Sequence, residues 1–276
     1  MGRFEGQVVF ITGASAGIGA GVARRFAAVG ADVALVARRK DRLESIAATI
    51  RKLGRRALVL EADVTRDGDL EAAAEATRKA FGRIDVLVAN AGYGVVGAFD
   101  KLELADYRRQ LETNFYGVLR AVYATLPDIE RVRGRIAIVG SVSGYLATPG
   151  TIAYSVSKAA VHSLAQGMRL ELAGKGVSVT LIVPGFVESE IRLLDNQGVL
   201  KAGAADPVPR WLVMPTDRAA REIVGAIARR DPERVITGHG KMAVFLQRHT
   251  PSLLSAAIGL GARRRRELRW DEAPGQ

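Results

Sequence analysis

Short apolar runs rich in β-branched residues recur along this chain, each followed by a longer stretch with helical spacing. This rhythm constrains the fold more than any other feature. The strand-like runs are Gln7–Thr12, Asp32–Ala37, Ala57–Glu61, Ile84–Ala89, Gly134–Gly140 and Val177–Val183, with a short seventh near Arg234–Thr237. Helical stretches fall between them at Gly17–Val29, Asp41–Leu53, Asp67–Phe81, Glu103–Leu126, Ile152–Ala173 and Asp217–Arg229. The strands lack strict in–out alternation, as expected where helices cover both faces of a parallel sheet. An α/β fold with a doubly wound parallel sheet follows, and as a single domain, because no Ser/Pro-rich linker or internal repeat breaks the order.

Composition narrows the function classes. A chain of 276 residues with 48% apolar content can bury a substantial core. The absence of cysteine removes disulfides, thiolate metal sites and Cys nucleophiles together. The net charge of +11, from 40 Lys+Arg against 29 Asp+Glu, raises a nucleic-acid reading. However, the basic residues cluster at Arg38–Lys40 and Arg263–Arg266 and only 6% of residues are aromatic, so no stacking platform is evident and no nucleic-acid partner is expected. The run Val8–Ile11 is too short for a signal-peptide core or a membrane span, and the chain reads as unprocessed and cytoplasmic. His239 and His249 form no ligand pattern with nearby acids, His162 reads as a helix-contact residue, and no metal site is expected.

Residues 1–240 read as the nucleotide-binding catalytic domain. Within it, residues 186–216, with Pro207, Pro209 and Pro215, interrupt the rhythm after a strand, where a substrate lid would sit. Residues 241–276 read as an apolar and basic C-terminal extension. There Leu253–Ala262 runs into Arg263–Arg266, a pattern suited to docking on a neighbouring subunit or to a weak contact with an anionic membrane surface.

Three local patterns carry chemistry. The first strand runs into Thr12-Gly13-Ala14-Ser15-Ala16-Gly17-Ile18-Gly19, a glycine-rich turn that opens a helix. Such a turn lets backbone N–H groups and the helix dipole receive a phosphate, and it also suits plain helix–strand packing. The same letters contain Gly13-Ala14-Ser15-Ala16-Gly17, the G-x-S-x-G elbow of serine hydrolases, but only 12 residues precede Gly13 and leave no earlier strand for an oxyanion loop. Tyr154 and Lys158, four residues apart, share one helix face. They follow a strand whose end carries Ser141, at the sheet edge where α/β proteins bind ligands.

With these residues in place, the sequence resembles the short-chain dehydrogenase/reductase family over nearly all of residues 5–240. TGASAGIG at Thr12–Gly19, Asp63-Val64, Asn90-Ala91-Gly92, Asn114, Ser141, Tyr154-x-x-x-Lys158 and Pro184-Gly185 stand in family order. Ala89 departs from the family, which often has a second Asn there. The resemblance implies a Rossmann-type oxidoreductase in which Tyr154 is the general acid or base and Ser141 donates to the substrate oxygen. Lys158, with the positive charge of an oxidised nicotinamide, would favour the phenolate and would bond the nicotinamide ribose. Asn114 would hold a water in a proton relay. It implies further that Gly13, Ser15, Gly17, Ile18 and Gly19 form the cofactor loop, that Asp63 and Val64 hold the adenine, and that Asn90, Ala91 and Gly92 line the ribose side. Pro184, Gly185, Val187 and Ser189 would hold the nicotinamide, with Ser189 where the family usually has Thr.

NAD-binding members carry an acidic residue at the end of the second strand. Here the position is Ala37, followed by Arg38, whose guanidinium could stack on adenine and pair with a 2′-phosphate. NADP is therefore expected over NAD, although Ala16 stands where many NADP-dependent members have a basic residue. The helices at 103–126 and 152–173 resemble those the family pairs into a four-helix contact, which implies a homodimer or homotetramer. Phe186, Leu193, Leu194, Val199, Trp211 and Met214, with Tyr93, Val95 and Val96, suggest a mainly apolar carbonyl or alcohol substrate such as a lipid, steroid or aromatic ketone. The alternative, a catalytically silent dinucleotide-binding scaffold, is opposed by the intact Tyr154, Lys158 and Ser141.

Overall fold

The computed structural model describes residues 2–199, 203 and 206–270, with backbone alone for 262–270. Among the described residues seven strands form one sheet: β1 Val8–Thr12, β2 Asp32–Ala37, β3 Ala57–Glu61, β4 Val86–Ala89, β5 Arg135–Val139, β6 Ser178–Val183 and β7 Glu233–Val235. Their order is β3-β2-β1-β4-β5-β6-β7, every pair parallel. Because the chain winds outward from β1 to β3 and then returns to place β4 on the other side of β1, the loops after β1 and β4 part there and open a crevice.

The β1 residues alternate between two cores although none is exposed. Val9 and Ile11 pack with Val22, Phe26, Leu35 and Ile223 on one face, under α1 Gly17–Ala28, α2 Lys40–Lys52 and α7 Thr216–Arg229. Phe10 packs with Leu70, Val118 and Ile136 on the other, under α3 Asp69–Phe81, α5 Gly117–Arg131 and α6 Ile152–Leu172. Burial on both faces is why these strands read as continuous apolar runs.

The expected strands stand within about two residues of the observed ones. The helix expected over 103–126 forms, but not as one regular α-helix, and it runs on past Leu126. Helix α4 Leu104–Leu111 passes through a π-helical turn at Glu112–Tyr116 into α5, which continues to Arg131. The widened turn carries buried Asn114 inward, and its amide bonds the backbone of Tyr93 in place of solvent. Pro127 lies inside α5, where it cannot bond the Tyr123 carbonyl, and both residues are exposed.

The boundary expected at 240 falls inside a helix, α8 Gly238–His249. Val244 of α8 is buried, and Arg248 reaches back to Glu233 of β7 at 3.0 Å, so this helix packs as part of the domain. Beyond it, α9 Pro251–Trp270 carries the apolar run, with Leu253 and Leu260 exposed. No described helix is long and apolar enough to cross a membrane.

Candidate active site

The crevice at the switch point is a cleft of about 940 Å³ that runs from the glycine-rich loop to Tyr154 and Lys158. Two loops build its floor. Thr12 Oγ1 accepts the backbone N–H groups of Asn90 and Ala91, each at 3.1 Å. Asn90 Nδ2 donates back to the carbonyls of Thr12 and Gly13, also at 3.1 Å. Gly13 has φ +65°, and a Cβ there would sit 2.7 Å from Ala91 Cα, so only glycine lets the loops approach this closely. Gly19 packs similarly against Gly13 O and lies behind the wall; every other residue expected to bind cofactor lines the cleft.

The chemical corner is set by β5 and α6. Lys158 is buried, has no carboxylate partner among the described residues, and donates from Nζ to the Val139 carbonyl at 2.9 Å. One of its three protons is thereby used, leaving donors for other oxygen ligands. Nζ stands 5.7 Å from the Tyr154 ring centroid. Burial pulls the Lys158 pKa down to about 8. Burial also pushes the Tyr154 phenol above its ordinary range, against an opposing effect of the Ser141 hydroxyl. Lys158 does not offset this burial, so the favoured phenolate expected from Lys158 together with an oxidised nicotinamide would rest on the charge of the nicotinamide.

Asn114, expected to hold a water in a proton relay, is seated behind the cleft. It is fully buried and does not line the cleft. Its Oδ1 accepts from Tyr93 N–H at 3.1 Å, and Nδ2 donates to Tyr93 O and Ser157 Oγ, both at 3.0 Å. Both amide protons are spent on protein, so Asn114 acts as a clamp between the loop after β4 and α6. A Cβ on Gly92 would lie 3.0 Å from Asn114 Oδ1 and 3.6 Å from Lys158 Nζ, so glycine keeps the space between them open.

At the adenosine end, Arg38 is exposed and lies 3.8 Å from Asp63, another residue expected to hold the adenine. The sequence reading missed Arg39 and Arg42. Both line the cleft, and Arg39 donates to Ser15 Oγ from Nε at 3.3 Å and Nη2 at 3.1 Å. Their spacing, three residues apart across the start of a helix after β2, was the available signal.

The substrate end also departs from expectation. Tyr93, Leu194 and Val199 line the cleft. Phe186 instead stacks on His239 with centroids 5.2 Å apart, and the Phe186 N–H donates to His239 Nε2 at 3.0 Å. Trp211 faces solvent at 83% exposure, Met214 is buried beside Val187, and Val95 is buried with its N–H on Gln110. Leu193 and Val96 are likewise not in the lining, whereas Arg109 and Arg192 are, paired with Asp106 and Asp206.

The residues fit a nicotinamide dinucleotide: a cleft of that extent, a glycine loop whose side-chain space is closed, guanidinium groups at one end and a buried unpaired ammonium at the other. A doubly wound parallel sheet with such a cleft at its switch point defines a dinucleotide-binding α/β protein. Residues 7–198 match the short chain dehydrogenase family, and the chain belongs to it. It is 40% identical over 188 residues to 11-beta-hydroxysteroid dehydrogenase 1A of Arabidopsis thaliana, covering 67% of this chain and 54% of that protein. The chain thus spans about half the length of the curated relatives it matches first. A short chain dehydrogenase from Burkholderia cenocepacia in complex with NADP superposes with TM-score 0.76 at 29% identity, over 87% of this chain and 99% of that one. An NAD+-bound xylitol dehydrogenase gives 0.75 at 25% identity, over 85% and 99%.

Proposed function

We propose that this chain is an NADP-dependent oxidoreductase that interconverts a ketone or aldehyde and an alcohol by hydride transfer. The observation that carries this reading is the meeting of Ser141, Tyr154 and Lys158 in the same cleft as the glycine-rich loop. Bound nicotinamide supplies or accepts the hydride. Tyr154 gives its phenolic proton to the substrate oxygen in reduction and takes it back in oxidation, while Ser141 donates to that oxygen and orients it. Lys158 holds the nicotinamide ribose with its free donors and adds positive charge beside the phenol. Asn114 keeps the wall behind Tyr93 and α6 fixed.

Ala37, Arg38 and Arg39 at the end of β2 support NADP over NAD, since the strand itself ends in Ala37 rather than in an acidic residue that would accept from the ribose hydroxyls. Neighbouring structures hold either cofactor. Tyr93, Leu194 and Val199, with arginines already neutralised by carboxylates, support a carbonyl on a mainly apolar body. Exposed Tyr116, Tyr123, Val156 and Leu170, in and around α5 and α6, support a homo-oligomer through these helices.

The test is NADPH oxidation over aliphatic, steroidal and aromatic ketones with the wild type and Tyr154→Phe. Loss of the hydroxyl should lower kcat by at least about a hundredfold while NADPH still binds. A Tyr154→Phe protein that reduces a good substrate at near wild-type rate would overturn the mechanism, and binding of NADPH without turnover of any carbonyl would favour the silent scaffold.

A further inference from the structure

The lid crosses the glycine-rich loop at Glu190, and hydride transfer gives no role to the contacts made there. Glu190 Oε2 accepts from Arg39 Nη1 at 2.8 Å, and Oε1 accepts from Arg42 Nη1 at 2.5 Å. Arg39 also donates from Nε and Nη2 to Ser15 Oγ, so one guanidinium joins the lid, the loop after β1 and the segment after β2. The Ser189 hydroxyl accepts the Ile191 N–H and fixes the turn that carries Glu190. Ser189 Cβ stands 2.9 Å from where a Cβ on Gly17 would lie, so the lid already rests on the start of α1. The three charged side chains are partly shielded, at 30% exposure for Glu190, 39% for Arg39 and 37% for Arg42.

We propose that Glu190 is a specificity-determining residue for the cofactor: a latch that occupies Arg39 and Arg42 and gives up Arg39 to a ribose 2′-phosphate. The proposal rests on the NADP reading above. Arg39 follows Arg38 at the end of β2 and lines the cleft with Ser15, where the 2′ position of an adenosine ribose would be read. A phosphate monoester carries close to two negative charges and three acceptor oxygens, so it competes with a carboxylate for a guanidinium. A neutral 2′-hydroxyl does not. NADPH therefore breaks one ion pair to gain a stronger one, NADH leaves the latch closed, and Glu190 keeps Arg42 in either case. The carboxylate lowers NADPH affinity and ties the lid's position to the presence of a 2′-phosphate.

The test is fluorescence titration of the full chain and its Glu190→Gln variant with NADPH and with NADH. Glu190→Gln frees Arg39 and should tighten NADPH binding by about tenfold, and NADH by no more than about threefold through the charge lost near the pyrophosphate. In the Glu190→Gln, Arg39→Ala double variant the NADPH gain should vanish, which a merely structural role for Glu190 would not produce. Equal gains for both cofactors, or an NADPH gain that survives loss of Arg39, would overturn the latch. A wild type that prefers NADPH with Glu190→Gln unchanged removes the latch and keeps the NADP reading. Equal affinities in both proteins remove both, and a preference seen only in Glu190→Gln supports the latch as what masks it.

Discussion

The backbone N–H of Ser141 donates to Nε2 of His162 across 3.3 Å, so the residue just past β5 takes its main-chain partner from a side chain on α6. On either side the ladder is ordinary: Gly140 N–H reaches Ile182 O at 2.8 Å and Val142 N–H reaches Pro184 O at 2.9 Å. A Cβ on Gly140 would lie 2.4 Å from His162 Nε2, and one on Gly144 2.5 Å from Cε1, so two glycines make the slot for the ring. With Nε2 accepting, the neutral imidazole carries its proton on Nδ1, which is buried without a partner among the described residues.

Burial, helped by the Lys158 charge, pushes the His162 pKa from 6.5 down to about 4. The unfolded chain therefore takes up this proton first as pH falls, and stability drops between about pH 6.5 and 4 by up to about 3 kcal/mol. Urea midpoints measured across that window check it. His162→Gln keeps an acceptor for Ser141 without titrating, and its acid slope should be shallower. An unchanged slope would assign the acid loss to other groups.

With its pKa near 8, Lys158 is charged below that pH and loses its proton above it. Tyr154 stays protonated through the same window because burial raises its pKa. Carbonyl reduction should then fall as pH rises through about 8. In a kcat/KM profile, Lys158→Arg, which stays charged, should move the descending limb upward whatever its absolute rate. A limb that does not move belongs to another group.

Gly13 and Gly54 both have positive φ, but a Cβ at Gly13 meets Ala91 Cα at 2.7 Å whereas one at Gly54 meets nothing within 4 Å. Gly54→Ala should cost only backbone strain, about 1 kcal/mol. Gly13→Ala adds a steric clash between two loops and should cost about 2–4 kcal/mol, together with dinucleotide binding. Urea denaturation of the two variants, side by side, gives the comparison.

Leu253 and Leu260 are 72% and 62% exposed on α9. Replacing both by Ser should leave the urea midpoint of the fold nearly unchanged, within about 0.5 kcal/mol. The expected effect is on association: sedimentation velocity should report a smaller oligomer. If the variant keeps its oligomeric state and instead stops pelleting with anionic vesicles, α9 contacts a lipid surface.

Much of the site was legible because its residues sit where backbone geometry and periodicity leave marks. The glycine loop, Ser141 at a strand end and the Tyr154–Lys158 pair leave local marks in the sequence, their roles came from the family resemblance that their order carries, and the structure brings them into one cleft. Arg39 was less visible than Arg38 because adjacent basic residues look alike until the chain's turn into α2 aims one at Ser15. Asn114 could be located but not described, since its partners Tyr93 and Ser157 lie 21 and 43 residues away.

By itself the sequence determined the alternation of strand and helix, the two-faced burial of the sheet and the residue types of the chemical corner. These depend on the order of apolar residues along the chain and on interactions a few residues apart. Tertiary structure alone decided the π-turn at Glu112–Tyr116, the seating of His162 between two glycines, the packing of α8 and the hold of Glu190 on Arg39, 151 residues away. Each depends on groups meeting across long chain separations, and the energy of such a contact leaves no periodic trace in the sequence that makes it.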